Sequence, residues 1–146
     1  MDMKEEIGKR RKEKWFELHM GIEVLGISRD IAENSLAEHV RKLSSEDGVF
    51  VYEEKFSDIQ KVDKPLRDVD EAYAQVASVK LFAKNLSTLM HVVMLYGPSS
   101  IEVIGPDKRD ISVGEVQHVA NNLASIVHQF AAAGVGGIVI TPEKKK

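Results

Sequence analysis

A mixed α+β domain with an antiparallel sheet is the fold class this sequence predicts, and three observations predict it. Apolar and polar residues alternate over 16–24 and again over 49–56, the period of a strand with one buried face. Residues 28–44 and 112–133 place apolar side chains at helical spacing and open on residues able to cap a helix. Glycine and proline punctuate the chain between these segments, at Gly97-Pro98, at Gly105-Pro106 and across 134–137.

The chain has 146 residues, 43% of them hydrophobic and 29% charged. Such a length suits one well-formed core, and the composition is too apolar for a disordered chain and too charged for a membrane span. No cysteine is present, which excludes disulfides, thiolate metal sites and thiol nucleophiles. Residues 1–14 are dense in charge and lack the apolar run of a signal peptide, so a cytoplasmic location without membrane association is expected. The formal net charge of −3 lacks the basic excess that phosphate binding draws on, and the basic clusters at 9–14 and 144–146 read as solvated termini. The expected organisation is a charged extension at 1–14, one domain at 15–141 and a charged tail at 142–146.

In the first strand, Phe16, Leu18, Met20, Ile22 and Val24 alternate with Glu17, His19, Gly21 and Glu23. Trp15, Leu18, Ile22 and Leu25 also share a helical face, so continuation of a charged helix is the competing reading. A helix over 28–44 has Ser28 or Asp30 as its cap and Ile31, Leu36, Val40 and Leu43 near one side. The second strand is 49–56, and the polar stretch 57–71 reads as an exposed connection. A third strand at 73–83 buries Val76, Val79, Leu81 and Phe82. The apolar helix 86–96 ends at Gly97-Pro98, since glycine supplies a left-handed cap and proline cannot continue the ladder. After a fourth strand at 100–104 and a turn at 105–107, Ser112-Val113-Gly114-Glu115 has capping-box spacing for the long helix. Residues 138–140, Ile-Val-Ile, read as a short closing strand.

This order, with the additional long C-terminal helix and closing strand, resembles the ferredoxin-like (split βαβ) arrangement over about residues 15–106. The resemblance is one of topology, rests on no family motif, and implies two helices on one face of the sheet.

The distribution of charge is the most informative feature of the sequence. Residues 85–101 and 116–142 contain no Asp, Glu, Lys or Arg. A helix lying on a sheet with its back to water normally displays charge on that back. In the long helix Val116, Val119, Ala120, Leu123, Val127 and Phe130 form the expected core stripe, while Gln117, His118, Asn121, Asn122, Ser125, His128 and Gln129 are polar but uncharged. Such groups are covered at low desolvation cost, and depletion of charge marks interface cores. In the shorter helix Leu86, Leu89, Met90, Val92, Val93, Met94 and Leu95 are apolar nearly all round, predicting burial on more than one side. A homo-oligomer formed through these two helices is therefore expected.

Candidate chemistry is sparse. The histidines are His19, His39, His91, His118 and His128, and Glu115 with His118 is a lone Glu-x-x-His without the second pair a metal site requires, so no metal and no cofactor is expected. Gly134-Val135-Gly136-Gly137 follows a helix instead of leading into one, which favours chain reversal over a phosphate loop. Gly97, Ser99 and Ser100 form a candidate loop, read as a turn in which Ser99 bonds to backbone. Trp15, Tyr52, Tyr73 and Phe82 offer aromatic surface for nucleic acid, yet 79–84 lacks the basic-aromatic pattern of RNA-recognition strands.

The expected function is that of a non-enzymatic oligomeric module binding a partner protein or a small ligand, with His118, Asn121, Asn122, Ser125, His128 and Gln129 at the seam. The alternatives are a nucleic-acid-binding protein of the same topology and an enzyme using a helix histidine as base.

Overall fold

The computed structural model describes residues 2–66 and 69–134. Its elements run α1 (Met3–Lys12), β1 (Phe16–Gly26), α2 (Arg29–Ser44), β2 (Val49–Phe56), β3 (Gln60–Leu66), β4 (Val69–Ala83), α3 (Leu86–Tyr96), β5 (Ser100–Gly105) and α4 (Val113–Ala133). The chain is a mixed α+β protein that divides into two compact units, Met1–Asp110 and Ile111–Lys146. The first holds the sheet with α1, α2 and α3; the described part of the second is α4. The expected closing strand at 138–140 and the tail at 142–146 lie outside the described residues.

The sheet is antiparallel and ordered β2-β4-β1-β5, with β3 pairing the remaining length of β4. Register fixes the two faces, because directly opposed residues of an antiparallel pair point the same way. Leu18, Met20 and Ile22 of β1 oppose Leu81, Val79 and Ala77 of β4, and all six are buried. Leu36, Val40 and Leu43 of α2 and Val92 and Tyr96 of α3 complete this core. Each fully buried aliphatic side chain contributes about 1.5–3 kcal/mol, which makes this face the main source of stability.

The helix α2 begins where Ser28 accepts the Ile31 amide at 3.1 Å. Its buried residues Ala32, Leu36, Val40 and Leu43 recur every three or four positions, one stripe against the sheet. The chain enters this helix through Gly26, where an added Cβ would lie 2.8 Å from the Ala32 amide nitrogen and 3.0 Å from its Cα. Backbone cannot yield as a side chain does, so Gly26→Ala is expected to cost about 1–2 kcal/mol. Chemical denaturation of the two proteins measures it, and equal midpoints would refute the close approach.

Two stretches differ from the sequence reading. Residues 57–71 are not simply a connection: Gln60 and Val62 of β3 pair with Ala74 and Ala72 of β4, and Lys61 Nζ lies 3.0 Å from Glu71. Edge strands commonly carry charge, and that charge has the composition of a loop. Nor is the charged N-terminal segment only a solvated end. Asp2 caps α1 by accepting the Lys4 amide at 3.3 Å, and Arg10 and Arg11 are engaged with sheet residues.

The charge-free helices are less covered than expected. Asn85 caps α3 by accepting the Thr88 amide at 2.9 Å, and Gly97 ends it in the left-handed conformation at φ 52°. Only Val92 and Tyr96 of α3 are buried, while Leu95 is 54% exposed. Ser112 caps α4 by accepting the Glu115 amide at 3.1 Å, and Gly134 ends it at φ 70°. No residue of α4 is buried, and Val116, Leu123, Val127 and Phe130 of the stripe expected to lie in a core are exposed. Helical periodicity reports that a side chain is to be covered, without reporting by which molecule.

Candidate functional site

Two surfaces carry functional groups, one on each unit. On α4, His118, Asn121, Asn122, Ser125, His128 and Gln129 are exposed. Gln117 Nε2 donates to Asn121 Oδ1 at 3.2 Å, the one-turn spacing that lets neighbouring amides bond. The apolar side of the same helix is exposed as well: Val116 by 52%, Leu123 by 41% and Phe130 by 50%. Ordinary solvent-facing helices do not show this pattern, since a contiguous apolar stripe without flanking charge is surface in need of cover.

The second surface is the sheet face opposite the α2 and α3 core. Register places Glu17, His19 and Gly21 of β1 on it, beside Phe82, Lys80 and Ser78 of β4 and Glu102 and Ser100 of β5. The His19 Nε2 and Ser78 Oγ atoms are 2.7 Å apart, and His19 Nδ1 is 3.9 Å from Glu102 Oε1. A shallow cavity of about 340 Å³ is lined by His19, Gly21, Val76, Ser78, Ser100, Ile101 and Glu102. Beside it the Lys80 ammonium lies 3.5 Å from Glu53.

The loop candidates stand at one edge of this face. Gly97 supplies the left-handed cap of α3, and Ser99 donates to the Gly21 carbonyl through both its amide, at 2.7 Å, and its hydroxyl, at 3.1 Å. Ser100 faces Gly21 across the β1–β5 pair, where a Cβ on Gly21 would approach the Ser100 hydroxyl to 2.6 Å.

At the other end of the face the aromatic groups pack on one another, with Trp15, Phe50 and Tyr52 half-buried. Phe82 is fully buried, with the rings of Tyr52 at 5.2 Å and Phe50 at 6.4 Å. The Arg10 guanidinium lies over Trp15 at 4.6 Å and over Phe50 at 5.2 Å, a cation–π arrangement. Phe82 therefore presents no face for stacking a base, and Tyr73 stands apart, paired with Arg29. Glu17 is 5% exposed; the Arg11 guanidinium grips both its oxygens at 2.9 Å, and the Tyr52 hydroxyl donates to it. The bonds from Arg11 hold the Glu17 carboxyl below its ordinary range, against the opposing effect of burial, with Tyr52 adding to the lowering. Burial raises the Tyr52 phenol above its ordinary value, and its bond to Glu17 raises it further.

A third polar network ties α2 to α3. His39 Nε2 lies 2.9 Å from the Tyr96 carbonyl, and the Tyr96 hydroxyl donates to Glu46 at 2.6 Å. His91 Nε2 lies 3.4 Å from the other Glu46 oxygen. Burial first, and then Glu46, push the Tyr96 phenol up to about 12. Among the described residues no three His, Asp or Glu side chains come together as metal ligands.

The grouping of His19, Ser78 and Glu102 is absent from the sequence reading. His19 and Ser78 are 59 positions apart, and only strand register joins them. The available signal was that His19 occupies the polar phase of an alternating strand, as Glu17 does.

Among the described residues no helix is long and apolar enough to cross a membrane. Comparison with curated proteins and with solved structures found no match. The MJ0538 family model matches residues 17–145, nearly the whole chain, and the protein belongs to that family.

Proposed function

We propose that this member of the MJ0538 family is a self-associating protein of ferredoxin-like topology in which α4 docks on a second copy of the chain. The observation that carries the reading is the apolar stripe of α4, with Val116, Leu123, Val127 and Phe130 exposed in a helix that lies within a stretch, residues 116–142, free of Asp, Glu, Lys and Arg. Burying large apolar side chains drives association, and uncharged polar neighbours are covered without the desolvation cost of ions. A second copy is the favoured partner because a charge-free helix meets itself across a two-fold axis without like-charge repulsion. The strand order β2-β4-β1-β5 with antiparallel neighbours supports the ferredoxin-like topology. His118, Asn121, Asn122 and Ser125 then border the seam, where their directional hydrogen bonds suit a small uncharged ligand.

Light scattering coupled to size exclusion tests the proposal on the full chain. The wild type is expected to elute at a multiple of 16.3 kDa. Leu123→Asp combined with Val127→Asp is expected to weaken association by at least about 100-fold, since each buried uncompensated carboxylate costs several kcal/mol. A wild-type mass of 16.3 kDa at every concentration would end the proposal.

A further inference from the structure

We propose that the open face of the sheet carries an activity of its own: Ser78 is a nucleophile for acyl transfer, His19 is its base, Glu102 positions His19, and the substrates are small carboxylic esters. The three side chains come from three strands, β4, β1 and β5, and meet at one cavity of about 340 Å³. A serine hydroxyl is a weak nucleophile until an adjacent base takes its proton, and the base needs a third group to fix its orientation. Each requirement has its residue. Ser78 Oγ and His19 Nε2 are in hydrogen-bond contact at 2.7 Å, and Glu102 faces the other ring nitrogen at 3.9 Å.

The carboxylate on the Nδ1 side selects the tautomer with its proton on Nδ1, which leaves Nε2 to accept the Ser78 O–H. The separation of 3.9 Å is one that closes by rotation of an exposed side chain, and unliganded sites commonly show such loose contacts. Glycine at position 21 keeps the floor of the cavity open, because a Cβ there would press on the Ser100 hydroxyl. Ser100 lines the same cavity and supplies an O–H donor for negative charge on the substrate oxygen.

The reaction proceeds in two balanced halves. Ser78 Oγ bonds to the ester carbonyl carbon as its proton passes to His19 Nε2; the carbon–alkoxy bond breaks, and the same proton leaves with the alcohol. Water then adds to the acyl-serine, giving its proton to His19, and the carboxylic acid departs as that proton returns to Ser78.

A fluorophosphonate probe tests this on the full chain, since attack by Ser78 forms a P–O bond and expels fluoride. Peptide mapping is expected to place the adduct on Ser78, and His19→Gln is expected to slow labelling at least about 100-fold. Glu102→Gln, on an exposed edge residue, is expected to lower kcat for p-nitrophenyl acetate while leaving KM unchanged. An unlabelled wild type, an adduct on another residue, or undiminished labelling of a folded Ser78→Ala protein would overturn the proposal. Mapping the wild-type adduct decides the matter even where a variant does not fold.

Discussion

Phe82→Ala is expected to lower the free energy of unfolding by about 3–5 kcal/mol and the melting temperature by about 10–20 °C. The size of the effect follows from where Phe82 sits. Leu81 and Ala83 on either side belong to the core under α2 and α3, so Phe82 points to the opposite face, yet it is 0% exposed. What surrounds it is a second, smaller core: Phe50 and Tyr52 against its ring, and Arg10 spanning Phe50 and Trp15. Truncation there removes the ring and leaves a cavity between aromatic neighbours that collapse poorly. Urea or guanidinium denaturation measures the loss. A change below about 1 kcal/mol would mean that this end of the sheet is solvated and that α1 does not help to cover it.

The elements facing the main core were legible because their burial is periodic. In β1 the alternation of Phe16, Leu18, Met20 and Ile22 wins over the competing helical face, and in α2 the stripe from Ala32 to Leu43 matches its cap at Ser28. What escaped the sequence reading did so for physical reasons. In β3, Lys61 and Asp63 are the charges of an edge strand, and no local pattern separates them from those of a loop. In α1, Arg10 and Arg11 count as solvated charge in any composition, whereas one stacks on aromatic rings and the other fills the valence of a buried carboxylate. His19, Ser78 and Glu102 each read as an ordinary polar residue of a strand. Their meeting depends on the register of β1 with β4 and β5, a long-range property that pairs residues far apart in sequence. The apolar stripe of α4 was visible in the sequence, and its Val116, Leu123, Val127 and Phe130 are exposed.

Arg11→Met is expected to cost about 2–3 kcal/mol at neutral pH, less than a fully buried ion pair because the Arg11 side chain is 59% exposed. The substitution keeps much of the apolar stem and removes two bonds to Glu17, leaving a buried carboxylate with Tyr52 as its remaining side-chain donor. The pH dependence identifies the cause. Because Arg11 lowers the folded-state pKa of Glu17, the unfolded chain binds the proton more readily, and stability rises with pH across that interval. The stabilisation is complete above the unfolded carboxyl value of about 4.3 and is lost as pH falls through the folded value. In Arg11→Met burial is opposed only by Tyr52 and, more weakly, by the charge of Lys80, so the carboxyl takes up its proton at higher pH and the variant is relieved sooner than the wild type. The difference between the two proteins should therefore shrink steadily from pH 7 toward pH 2, and it should show no such pH dependence when Glu17→Gln is present in both. Denaturation curves across that range that show a constant difference would assign the loss to packing of the Arg11 stem, and the ion pair would then be an incidental contact between α1 and the sheet.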